Sequence, residues 1–176
     1  KGFFLSRLMN KLEEIKKIVI PVYAELKCWV HFWAHIERVA ENSRKLAEAE
    51  NTDATPCIIA AYCHDLGRIE EEKRKERGET PLPHALFSIQ PTIEILNKIG
   101  IKGIEFAQIV EAVTVHSYRI YEGDNIIARI LQDADKIAGT GPWTILSAAR
   151  ILLDTDYVPS EEIIKNAKDK NKIREM

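Results

Sequence analysis

The chain has 176 residues, 45% hydrophobic and 30% charged, which suits one domain with a real core rather than two domains or a disordered tail. A formal net charge of −2 and a pI near 6.3 exclude a general attraction for nucleic acid or membrane, so any anion site must be local. Three cysteines, Cys28, Cys57 and Cys63, lack C-x-x-C spacing; they exclude a disulfide framework and a zinc knuckle and fit a reducing cytoplasm. No apolar run approaches the length of a membrane span.

Met9 reads as a natural start, with residues 1–8 as an extension. Leu8, Leu12, Ile15, Ile18 and Val19 give residues 8–20 helical apolar spacing, and Pro21 ends or kinks that helix. From 22 to about 50 the pattern stays helical, with Phe32, Ile36, Val39, Ser43, Leu46 and Ala47 on one stripe and His35 beside it. Asn51, Thr52 and Asp53 form a turn. Thr55 as N-cap and Pro56 at the first helical position then open the central helix, apolar almost all round, which carries His64 and Asp65 to its end before Gly67.

Residues 68–80, RIEEEKRKERGET, are charged throughout and read as a solvated helical extension or mobile loop, with a lid over the site as the alternative. His84 opens a helix interrupted by Pro91, and residues 104–116 form a largely buried helix ending at His116, with Glu105, Gln108 and Glu111 as its polar strip. Residues 125–138 place Ile126, Ile127, Ile130, Leu131, Ala134, Ile137 and Ala138 on one face, flanked by Asp133 and Asp135. A helix over 143–153 and a polar one from Pro159 complete the chain. No segment alternates with strand period, so the fold expected is all α, a bundle of about seven helices.

A carboxylate buried beside an imidazole is costly unless paired or bound to a metal. His64 and Asp65 sit in such a place. Four of the five His, namely His35, His64, His84 and His116, lie near helix ends or apolar faces of four separate helices. Imidazole with carboxylate oxygen suits manganese, iron, cobalt, nickel or zinc, and helical bundles build metal centres from several helices. His31, one turn before His35, is the rival first ligand. Asp133 and Asp135 lie at similar angles from the apolar face, and Asp133 has Arg129 one turn back as a partner.

In its order His, His-Asp, Asp, the chain resembles the HD superfamily of metal-dependent phosphohydrolases. The matching residues are His35 in HIERVAENSRKLA, His64-Asp65 in AAYCHDLGR and Asp135 in LQDADKIAG. His84 in PLPHALFS and His116 in EAVTVHSYR fall where some branches add two His. The resemblance covers about 30–145 and implies one HD-type domain over 1–176. It implies a divalent metal (Fe, Mn, Co, Ni, Zn or Mg) on His35, His64, Asp65 and Asp135, with Asp65 able to bridge to a second ion on His84 and His116. It also implies hydrolysis of a small phosphorylated substrate, commonly a nucleotide, by metal-activated water. Asp65 and Arg68 become the catalytic candidates; Arg68, Arg119 and Lys136 are candidate phosphate ligands, each with a surface-charge reading beside it. A di-iron oxygenase on the same scaffold and a non-catalytic nucleotide-sensing module are the alternatives. Trp29, Trp33 and Trp143 suit core packing better than a base-stacking floor.

Overall fold

Seven helices make up the regular structure of the described residues: α1 (Gly2–Tyr23), α2 (Trp33–Ala49), α3 (Ala54–Cys63), α4 (Arg68–Glu76), α5 (His84–Lys98), α6 (Gly103–Val115) and α7 (Ile126–Ala138). The computed structural model describes residues 2–26, 33–80 and 82–140, with side chains from residue 11 onward, all within the unit Lys1–Gly141. The fold is all α, as expected. The helices expected over 143–153 and from Pro159, the single domain over the whole chain, and the places of His31, Trp29 and Trp143 fall outside the described residues.

Helix α3 is the axis. Eight of its ten residues are buried, and it packs against α1, α2, α5, α6 and α7. Its burial all round follows from CIIAAYC having no polar side to turn to water. Asp53, not Thr55, is the N-cap: its side chain accepts from Thr55 N at 2.9 Å and from Thr55 Oγ1 at 2.8 Å. The carboxylate satisfies a backbone donor at the positive end of the helix, which a hydroxyl does less well. Pro56 still lies in the first turn, where its missing N–H costs nothing.

Helix α1 begins earlier than its apolar spacing indicated and runs through Pro21 to Tyr23. The helical pattern read from residue 22 does not hold at once, because residues 24–25 form a turn after Pro21. Proline supplies no N–H to the last turn, and the chain leaves the helix two residues later. Tyr23 Oη donates to Tyr62 O at 3.0 Å, tying that end to the end of α3. Trp33 stacks on Tyr62 with ring centroids 5.7 Å apart, so it packs against the core as expected.

The charged segment is a helix, α4, which packs on α5 and buries none of its residues. Helix α6 is less buried than expected: Ile109, Ala112 and Val113 face inward, while Ile104 is 79% exposed. Gly103, with φ +68°, starts this helix at the surface, and of the apolar residues in its first turn Phe106 packs on the core while Ile104 does not among the described residues. Ile137, placed on the apolar face of α7, is also exposed. Asn125 caps α7 by accepting from Ile127 N, and its amide donates to Gln108 O, joining α7 to α6.

Candidate metal centre

Two helix ends present their histidines in the same way. His64 is the C-cap of α3 and His116 the C-cap of α6. Each ring places Nδ1 2.7 Å from the carbonyl three residues back, Ala61 O and Val113 O respectively. A carbonyl only accepts, so each Nδ1 carries the proton and each Nε2 turns a lone pair inward. The bond also satisfies a carbonyl that the helix end leaves unpaired.

The corner after α3 is then pressed onto α5. A Cβ on Gly67 would lie 2.1 Å from His84 O and 2.6 Å from Ser88 N, so only glycine fits. Gly67 N donates to Ser88 Oγ at 2.9 Å, and Ser88 Oγ donates to His64 O at 2.7 Å. This clasp sets His84, at the start of α5, over the His64-Asp65 corner. Comparable bonds hold the other two ends. Gln132 on α7 donates to Val115 O and Tyr118 O around His116, and Asn42 on α2 donates to Ala134 O beside Asp135.

The six residues converge as two groups. His35, His64 and Asp135 form one; Asp65, His84 and His116 form the other, and within each group one donor atom per residue lies within 4.8 Å of the rest. In the first, His35 Nε2 is 3.2 Å and His64 Nε2 3.8 Å from Asp135 Oδ1. In the second, His84 Nε2 lies 3.1 Å and His116 Nε2 3.8 Å from Asp65 Oδ1, and the two Nε2 atoms are 3.0 Å apart. The groups adjoin through Asp65, whose Oδ2 is 3.5 Å from His64 Nε2.

The donor chemistry fits divalent cations. His64 Nε2 is fully buried and has no hydrogen-bond partner, a cost a folded chain rarely carries without a ligand. It faces carboxylate oxygens, and so does the inward lone pair of His116. Burial, and then the field of His64, push the His116 ring down to about 4, so it is a neutral ligand at ordinary pH. Burial alone would raise the Asp135 carboxyl; the bond from His35 and the field of His64 instead hold it below its usual value, ionised and ready to bind a cation.

Arg68 stands beside the second group, with Nε 3.0 Å from Asp65 Oδ1 and Nη1 3.0 Å from Glu71 Oε2. Arg119 and Lys136 are exposed and take no part in the hydrogen bonds or ion pairs of the centre among the described residues. Asp133 is exposed, and Arg129 does not serve it: that guanidinium reaches Gly123 O and Asp124. The two acids differ because α7 turns about 100° per residue, so the step of two from Asp133 to Asp135 crosses the edge of the buried face. Ser88, Gln132 and Asn42 escaped the sequence reading. A lone polar residue inside an apolar helical stripe, as at Ser88 and Gln132, was the signal that could have found two of them.

Fold and site together define a helical protein built around a His/Asp cluster that could hold metal ions. The HD domain family matches residues 32–140, and the chain belongs to that family, a superfamily of metal-dependent hydrolases. It is similar to the crystal structure of a predicted HD superfamily hydrolase from an uncultured Thermotogales bacterium, at 26% identity and a TM-score of 0.68, over 97% of this chain and 92% of that one. None of the curated proteins compared with the chain matches it. No helix among the described residues is long and apolar enough to cross a membrane.

Proposed function

We propose that the protein is a metal-dependent phosphohydrolase acting on a nucleotide or another small phosphoester. The observation that carries this reading is the pair of adjoining ligand groups sharing the His64-Asp65 corner, with an arginine fork on the same carboxylate. His35, His64, Asp65 and Asp135 would hold one divalent ion, and Asp65, His84 and His116 a second. When bound, such ions acidify water and neutralise charge on phosphoryl oxygens.

The chain's own residues supply the rest. Asp65 presents Oδ2 towards His64 and Oδ1 towards His84, so one carboxylate serves both groups and fixes their separation. Arg68 is held at the rim of the second group by Asp65 and Glu71, where a planar guanidinium recognises a phosphoryl group in two directions. That cation favours an anionic substrate over the polyol chemistry of a di-iron oxygenase. Arg119 and Lys136 are proposed as outer phosphate contacts. Free, buried thiols at Cys57 and Cys63 support a reducing, cytoplasmic setting.

The test is inorganic phosphate release from a panel of nucleotides and simple phosphoesters, by protein reconstituted with Mn2+, Co2+, Fe2+ or Zn2+. Release in the wild type and none in Asp65→Ala supports the reading. Oxygen uptake by the Fe2+ protein with a polyol and no phosphate release would favour the oxygenase, and tight nucleotide binding without product the sensing module.

A further inference from the structure

Of the three histidines around Asp65, two have their inward lone pair set by a backbone carbonyl behind the ring. His84 has no such device. It opens α5 rather than closing a helix, and a helix presents N–H groups at that end, not carbonyls. Its outward nitrogen, Nδ1, faces a side chain instead: Glu71 Oε1, 3.7 Å away.

The tautomer of His84 decides what Glu71 can do there. His116 spends its ring proton on Val113 O, so its Nε2 can only accept, and Asp65 Oδ1 can only accept as well. His84 Nε2 lies 3.0 Å from the first and 3.1 Å from the second, so a proton on that nitrogen would have two acceptors. A ring with its proton on Nε2 has a lone pair on Nδ1, which does not bond to a carboxylate. To offer Nε2 to a cation, His84 must carry the proton on Nδ1, and Glu71 is then its acceptor.

Glu71 is itself fixed. Its other oxygen, Oε2, accepts from Arg68 Nη1 at 3.0 Å, and Arg68 Nε holds Asp65 Oδ1 at 3.0 Å. Asp65, Arg68 and Glu71 are spaced three apart, each pair linked across one turn. A single carboxylate on α4 thus reaches both a ligand of the second group and the arginine beside it. We propose that Glu71 is the positioning residue of the second metal subsite, setting the ligating tautomer of His84 and anchoring Arg68 beside Asp65. The inference rests on the metal-binding reading of the cluster, and gives the charged segment a role that its composition did not disclose.

The experiment is calorimetric titration of the chelator-stripped full chain with Mn2+, for wild type, Glu71→Gln, Glu71→Asp and, as control, Glu70→Gln, whose carboxylate pairs with Arg77. Outer carboxylates on ligating histidines are worth about 10–100-fold in metal affinity. The expected result is two Mn2+ in the wild type, with the weaker affinity falling about 10–100-fold in Glu71→Gln while the tighter one and the melting temperature of the metal-free protein stay put. Glu71→Asp should fall between, and Glu70→Gln should match the wild type. Unchanged affinities in Glu71→Gln, equal weakening of both ions with a lower melting temperature, or a wild type that takes up one Mn2+ would each overturn the proposal. Phosphate release enters none of these readouts, so a protein that passes here and hydrolyses nothing would sink the phosphohydrolase reading alone.

Discussion

Replacing Gly67 with alanine should damage fold and metal centre together. The added methyl would meet His84 O at 2.1 Å and Ser88 N at 2.6 Å, both backbone atoms, where 3.4 Å is the start of ordinary contact. The corner and α5 must therefore part by about 1 Å or more. Overpacking of this kind costs about 1–3 kcal/mol. The separation also stretches the bonds through Ser88 Oγ to Gly67 N and His64 O, worth about 1 kcal/mol each. The total of about 3–5 kcal/mol should appear as a lower urea midpoint at unchanged slope for the metal-free protein. His84 rides on α5, and ligand distances tolerate only about 0.2 Å, so the second Mn2+ should be lost even where the variant stays folded. Ser88→Ala removes the clasp without the clash and should cost about 1–2 kcal/mol while weakening the second ion less. Stability within about 1 kcal/mol of wild type in Gly67→Ala, with two ions still bound, would refute this account of the corner.

Asp135→Asn should abolish metal uptake at the His35-His64 group and phosphate release, because its carboxylate is the acceptor 3.2 Å from His35 Nε2, whereas Asp133→Asn, on the exposed side, should be nearly silent. Metal analysis and turnover of the two variants check this, and the opposite pattern would reassign the ligand. Burial, helped by Asp53, pushes the Cys57 thiol up to about 12. The unfolded chain ionises first as pH rises, so the contribution of Cys57 is complete below its unfolded pKa and is lost as pH climbs towards 12. Unfolding free energies from urea melts between pH 8 and 10.5 should fall at about 1.4 kcal/mol per unit from this group once it ionises in the unfolded chain, and Cys57→Ala should lessen the slope, leaving the share of Cys63, which burial raises likewise. An unchanged slope would contradict the burial argument.

The ligand residues were legible because each is a polar interruption of an apolar helical pattern, which costs free energy unless something compensates it. His64 and Asp65 at the end of CIIAAYC are the clearest case, and the order of the six residues did the rest. Less legible were features that depend on two elements meeting. Nothing in the sequence around Gly67 states that α5 passes within van der Waals range, and nothing in EEEKRKE distinguishes Glu71 from its neighbours, since only the placement of His84 gives it a partner. Helix ends also slipped: Asp53 outcompetes Thr55 as a cap, and Pro21 lets α1 run on but stops the pattern that periodicity had carried into α2. The exposed start of α6 misled for a related reason. Apolar residues there could pack inward, and burial depends on a neighbour that the described fold does not provide at Ile104.

Metal stoichiometry tests the central claim most directly. Protein purified without chelator, or stripped and reconstituted with Mn2+, should hold two ions per chain by elemental analysis. The His84→Ala/His116→Ala double variant should hold one, kept by His35, His64, Asp65 and Asp135. One ion in both proteins, with phosphate release unchanged, would show that the 3.0 Å approach of His84 to His116 is structural and that the centre is mononuclear.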